Sequence, residues 1–243
     1  KGLVLSYMHQ RMKTDHVSPA TCNREAAFLK CMCSRAFEWE MIPNNPLVGL
    51  RLLKEAEKRE VNLTLEQLEA LINSLREPMS SIVEFAVYTG FRRENILNLK
   101  IKDIRFHDLT PTGEVSLVTK GNKQGIYPLG PNAVALLKRV IGKRKEGYVF
   151  LSVKSKSRFS CIHATFDRAV EKLGLQVNGT KLRFHDLRHV YASMLHRQGV
   201  SLDVLRSLMG HASRETTDRY TTIDRLENGK ALSLMPQLRR KQG

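Results

Sequence analysis

The chain has 243 residues, 42% hydrophobic and 26% charged, a balance that supplies a core for one large domain or two modest ones and excludes a mainly disordered polypeptide. Its 40 Lys and Arg against 24 Asp and Glu leave a net charge of +16, which moderately favours nucleic acid over an anionic membrane surface or plain solubility. No run approaches the ~18–20 apolar residues of a membrane span, and KGLVLSYMHQRMK at the start lacks the apolar segment and cleavage site of a signal peptide. A cytoplasmic protein with no membrane partner is expected, and the Lys1 start suggests a piece of a longer polypeptide.

Residues 19–41 read as a helix, since Ala26, Leu29, Met32, Cys33, Ala36 and Trp39 or Glu40 recur at three-to-four spacing before PNNP, Pro43 to Pro46, stops it. The charged run KEAEKRE, Lys54 to Glu60, is the linker candidate. Thr64 and Gln67 form a capping box ahead of LEQLEALINSL. This gives an all-α unit over 1–54, a linker over 55–61 and a larger unit over 62–243. The basic excess is uneven: residues 1–60 carry 10 basic and 7 acidic side chains, residues 61–243 carry 30 and 17. The larger unit is therefore the main candidate for a polyanion-binding surface.

Within it the pattern is mainly helical with one interruption. EVSLVT, 114–119, and QGIYPL, 124–129, are β-like runs joined by Lys120, Gly121, Asn122 and Lys123, with KDIRF before them, and predict a small antiparallel sheet with a KGNK turn. PNAVALLKRVIG, SCIHATFDRAVEKLGL, FHDLRHVYASMLHRQG and SLDVLRSLMG then show helical period, with Gly174, Gly199 and Gly210 where helices end. The fold class is mainly α with a small antiparallel sheet, in two domains. Cys22, Cys31, Cys33 and Cys161 fit neither a disulfide framework nor paired zinc knuckles, so reduced, mostly buried thiols are expected.

Four groups carry chemistry. In TGFRRENILNLK, Gly90 breaks one helix and Arg92 and Arg93 begin the next, where an anion would offset their clash with the helix dipole; a solvated basic face is the bland alternative. In FHDLRH, His185, Arg188 and His189 can share one face. Asp186 stands where a zinc protease needs Glu and no third ligand is evident, so no metal is expected, and His189 is taken as lining a core. In LMGHASRETTDRYTTID, His211 follows a helix end and Tyr220 sits among polar residues with no apolar face to require it, whereas Tyr191 is read as core. Lys120 and Lys123 flank the hairpin tip, where either is also an ordinary turn lysine. Together the groups supply two arginines for a phosphodiester, proton-transfer groups and a phenol nucleophile.

TGFRR, KGNKQGIYPLG, FHDLRH, LMGH and DRY, in that order, make the chain resemble the tyrosine recombinases or phage-type integrases. SPATCNREAAFLKCMCSRAFEWEMIPNNP is similar to later helices of their core-binding domain, so 1–54 is expected to be a partial core-binding domain and 62–243 a catalytic domain with a C-terminal tail. The resemblance implies a site-specific DNA recombinase that works through a 3′-phosphotyrosyl intermediate with no cofactor, metal or ATP. Arg92 and Arg188 would clamp the scissile phosphate and Tyr220 would attack it. Lys120 would be the general acid, with Lys123 as the alternative. His185 would assist proton transfer and His211 would hydrogen-bond the phosphate. Arg93, Lys123, Arg24 and Lys30 are further DNA-contact candidates.

The resemblance also implies a C-shaped clamp on double-stranded DNA, a tetramer on two sites, nucleoid association when bound, and an accessory directionality protein as a further partner. Asn95 stands where many relatives have Glu, which bears on a local contact rather than on the chemistry. An arm-type DNA-binding domain, if the full protein has one, would precede this chain. The tail's Leu226, Ala231, Leu232, Leu234 and Met235 suit docking on a neighbouring protomer or on their own domain. The rival activities are a type IB topoisomerase, a catalytically silent DNA-binding regulator on the same scaffold, and a metal-dependent nuclease, for which no carboxylate cluster is seen.

Overall fold

Ser18 accepts a hydrogen bond from the Thr21 amide and Pro19 occupies the first turn, so the chain turns sharply into α2 (Pro19–Glu38), the longest helix among the described residues. In this computed structural model the described residues are 1–55, 61–119, 123–152, 155, 157–159, 161–209 and 231–240; the side chains of Thr119, Lys123, Leu202 and Arg206 lie outside the description. The chain divides into two units, residues 1–59 and 60–243.

In the first unit α2 packs against α1 (Gly2–Thr14). Val4, Met8 and Met12 recur every fourth residue and meet Cys22, Ala26, Leu50 and Leu53 in a small core. Arg11 braces the pair through Glu25 at 2.9 Å and Asp15 at 2.6 Å. The buried Asn23 amide donates to the Leu53 carbonyl at 2.9 Å and accepts from the Leu53 amide at 2.8 Å, which ties the returning chain to α2. The helix stops three residues short of the expected end, and Glu40 takes a positive φ of 56°. Met32 and Trp39, placed by their spacing on the core face, are exposed. The cysteine expectation also needs correction: all four thiols are free, but only Cys22 is buried, while Cys31 and Cys161 are exposed.

The second unit is organised around α4 (Met79–Thr89), every residue of which is buried. It packs against α3 (Leu65–Ser74), opened by the predicted Thr64–Gln67 capping box, and against α5 (Arg93–Leu97), α6 (Pro131–Ile141) and α8 (Asp186–Arg197). A three-stranded antiparallel sheet runs β1 (Ile104–Phe106), β2 (Gly113–Thr119) and β3 (Lys123–Leu129), with Val115 opposite Tyr127 and Leu117 opposite Gly125. The two-residue strands β4 (Gln176–Val177) and β5 (Thr180–Lys181) form a second sheet that the sequence pattern did not predict. They flank α7 (His163–Lys172) on its C-terminal side, with Asn178 and Gly179 both at positive φ in their turn. α9 (Leu202–Leu208) follows α8, capped by Ser201. One contiguous core joins these elements. Among the described residues no helix is long and apolar enough to cross a membrane.

Residues 231–240 of the tail pack on their own unit, and Leu226 lies outside the described residues. Ala231, Leu232, Met235 and Leu238 are buried in the core, while Leu234 is exposed. The buried Tyr88 hydroxyl accepts from the Leu238 amide at 2.9 Å, and Asn132 donates to the Met235 carbonyl at 2.8 Å. Arg240 reaches back to Glu77 and to the buried Glu84, which Arg139 also pairs at 3.0 Å.

Candidate active site

The site begins where α4 ends. Gly90 adopts φ 62°, the left-handed conformation that lets the chain leave the helix. It also makes room: a Cβ there would lie 2.5 Å from the Tyr191 ring. Tyr191 is 1% exposed, as its apolar company predicted, and its phenol titrates well above the ordinary range because of that burial. Thr89 fixes the turn by donating to the Phe85 carbonyl at 2.7 Å. Phe91 is buried edge-on against Phe85 and Tyr127. The next residue, Arg92, is thereby held at the N-cap of α5, exposed, with no side-chain cap bond.

α8 supplies the second arginine. Arg188 lies three residues before Tyr191, on the face turned to α4, and is 5% exposed. Its guanidinium donates to the Gly90 carbonyl at 2.6 Å and to the Met209 carbonyl at the end of α9. Three separate stretches of chain therefore meet on one side chain. Burial, with the nearby charge of Arg92, pulls Arg188 down to about 10, which leaves it cationic at neutral pH.

His185 is the N-cap residue of α8 and is exposed. Partial burial, then His189, Arg188 and Arg92, lower its pKa from the usual 6.5, and Asp186 opposes them. The imidazole is thus largely neutral at neutral pH. His189 is a correction: it does not line a core but is exposed, with its ring 5.8 Å from that of His185.

Arg92, Arg188 and His185 are brought together, since each acts on the charge of another. The remaining candidates fall elsewhere or outside the description. Arg93 pairs with Glu94 at 2.8 Å and meets the His163 ring. Lys30 donates to the Leu50 carbonyl at 3.2 Å, and Arg24 is exposed on α2. Lys120, His211 and Tyr220 lie outside the described residues, as does the Lys123 side chain, though its backbone pairs with Thr119 at the hairpin end. Among the described residues no three or more His, Cys, Asp or Glu side chains converge as metal ligands would.

Sequence reasoning missed Tyr127. Its phenol is influenced by both Arg92 and Arg188, so it belongs to the same neighbourhood. Its signal was available: Gly125, Tyr127 and Leu129 alternate on one face of β3, and a polar-tipped ring on a core face needs a reason.

The phage integrase family pattern matches residues 60–227. This chain belongs to that family, the tyrosine recombinases. The tyrosine recombinase XerC of Proteus mirabilis is 29% identical over 238 residues, covering 91% of this chain and 75% of its own. The integrase of Salmonella phage P22 is 29% identical over 218 residues, covering 84% of this chain, which in turn spans only 54% of that relative's length. Lambda integrase has the same fold. Its residue 75–356 dimer bound to a COC′ core site matches with a TM-score of 0.66 at 20% identity, over 86% of this chain and 78% of that one. Its tetramer bound to a Holliday junction matches with a TM-score of 0.64 at 21% identity, over 89% and 65%. As a tyrosine recombinase this chain is an enzyme of DNA strand breaking and rejoining.

Proposed function

We propose that the chain recombines DNA at specific sites by cleaving and rejoining one strand at a time through a 3′-phosphotyrosyl link. The observation that carries this reading is the buried, backbone-anchored Arg188 beside the exposed Arg92. Two fixed guanidinium groups match the non-bridging oxygens of a phosphodiester and stay protonated while charge builds there. Tyr220 attacks phosphorus, the bond to the 5′ oxygen breaks, and that oxygen takes a proton from Lys120, or from Lys123 in the alternative assignment. His185, largely neutral, accepts the phenol proton, and His211 donates to the phosphate. No metal or nucleotide enters these steps, because the cationic side chains stabilise the charge and the phosphotyrosine bond retains the energy of the broken linkage.

The same reading makes residues 1–54 part of a core-binding domain, 55–61 a linker and 62–243 the catalytic domain, closing on double-stranded DNA. Assembly as a tetramer on two sites is part of the proposal, supported by the solved lambda integrase tetramer on a Holliday junction. Incubation in EDTA with DNA carrying two copies of a recovered site tests it. Covalent adducts and exchanged partners are expected. Relaxation at scattered positions without exchange would instead indicate type IB topoisomerase activity. Tight DNA binding with no adduct would indicate a silent regulator, and cleavage abolished by EDTA a metal-dependent nuclease.

A further inference from the structure

Tyr127 pairs across the sheet with Val115, which is fully buried, so its ring leans into the core face of β3. The ring meets Phe91 edge-on, centroids 5.8 Å apart at 71°. Phe91 is the residue between Gly90, whose carbonyl holds Arg188, and Arg92. The body of the side chain is thus fixed by packing that phenylalanine would supply equally well. The hydroxyl needs a separate explanation.

That hydroxyl sits at the half-buried end of the ring, where Arg92 and Arg188 both act on it. Residue 125 leaves its path open: a Cβ there would come within 3.0 Å of the Tyr127 hydroxyl and ring edge, and the residue is glycine. Among the described residues no group is hydrogen-bonded to this hydroxyl. Arginine offers donors only, so neither guanidinium can accept the phenol proton. The ring packs on Phe91, between the Gly90 carbonyl that holds Arg188 and Arg92 itself, and a phenol donor beside two cationic donors suits an oxyanion. Burial also keeps the phenol protonated, and therefore a donor, through the neutral range.

We propose that the Tyr127 hydroxyl is a third donor to the scissile phosphate, beside Arg92 and Arg188. The inference rests on the recombinase reading and adds to it a contact from the sheet. Tyr127 forms no covalent bond; it holds one non-bridging oxygen as negative charge grows there.

The test is Tyr127→Phe, which keeps the ring and removes one oxygen. Adducts of the wild-type protein first supply the cleaved sequence, which is then made as a nicked duplex with either an ordinary phosphate or one of the two methylphosphonate isomers at the cleaved position. On the phosphate duplex the variant should trap between about 10- and 100-fold more slowly, the worth of a hydrogen bond to a charged group, with duplex affinity unchanged. On the isomer lacking the contacted oxygen the difference should shrink to less than about 3-fold by the same reasoning. Equal trapping of the phosphate duplex by both proteins overturns the inference alone. A defect of the same size on the phosphate and on both isomers also overturns it, because loss of folding or packing would slow all three alike. A wild-type protein that forms no adduct removes the recombinase reading and this inference with it.

Discussion

The Arg188 guanidinium donates to the Gly90 carbonyl across 2.6 Å, joining α8 to the residue that ends α4. One bond therefore positions both arginines, since Arg92 follows Gly90 by two residues on a chain pinned by Thr89 and Phe91. Arg188→Lys keeps the charge but cannot hold two carbonyls with a planar fork. Trapping on a nicked duplex should slow by about 100- to 1,000-fold, as when one preorganised donor of a charged transition state is lost. Urea denaturation should show a loss of about 1–3 kcal/mol from the abandoned carbonyls. Wild-type trapping by the lysine variant would show that the charge alone suffices.

Gly90 has two reasons to be glycine, and a pair of substitutions separates them. Gly90→Ala carries the left-handed backbone cost of about 1 kcal/mol and the clash with buried Tyr191, worth about 1–3 kcal/mol. Gly174→Ala, at the same φ of 62° but with nothing within 4 Å of its Cβ, carries the backbone cost only. Denaturation midpoints should rank wild type, Gly174→Ala, then Gly90→Ala. Equal losses in the two variants would mean that Tyr191 moves aside without cost.

Arg240 ties the tail to Glu77 and to Glu84, the latter 5% exposed and also paired to Arg139. Removing it as Arg240→Ala should cost about 2 kcal/mol at neutral pH, the worth of hydrogen bonds to charged groups. For Glu77, burial alone would raise the carboxyl pKa, but hydrogen bonds from Arg240 and Ser81 outweigh it and the net shift is downward. A depressed carboxylate contributes stability above the usual carboxylate range and loses it as pH falls through the lowered value. The gap between wild type and variant should therefore narrow in acid. A gap of the same size at pH 7 and at about pH 3 would contradict this account.

As the proposed acceptor of the phenol proton, His185 should set the acid limb of the reaction. With its pKa held below 6.5 by burial, His189, Arg188 and Arg92 against the opposing Asp186, trapping should stay at full rate as pH falls to about that value and decline only below it. His189→Ala removes one of the lowering charges, so the midpoint should move up toward 6.5. Rates measured between about pH 5 and 8 with no movement in the variant would show that another group governs the limb.

Much of this was legible in the chain. The capping box at Thr64, the helix end at Gly90, the arginines opening α5 and the buried Tyr191 all follow from local patterns that tertiary packing did not override. Helix α1 was not anticipated, because its inward stripe of buried Met8 and partly buried Val4 and Met12 is interleaved with exposed Leu3, Leu5 and Tyr7. β4 and β5 are two residues each, too short for any period to register. His189, expected to line a core, is exposed beside buried Val190 and Tyr191, because successive helix residues point about 100° apart. The tail's apolar positions suited a neighbour or their own unit, and Gly130, whose Cβ would meet Leu232 at 2.9 Å, is the kind of close approach that only three dimensions reveal.

The central claim is that Tyr220 becomes bonded to DNA. Wild type and Tyr220→Phe, incubated in EDTA with fragmented DNA and denatured in SDS, give the direct answer once protein-linked fragments are digested and the modified peptide is sequenced. The account predicts adducts in the wild type alone, carried on Tyr220 and clustered at one short DNA motif. Adducts that persist in Tyr220→Phe, or that map to another residue, would contradict it.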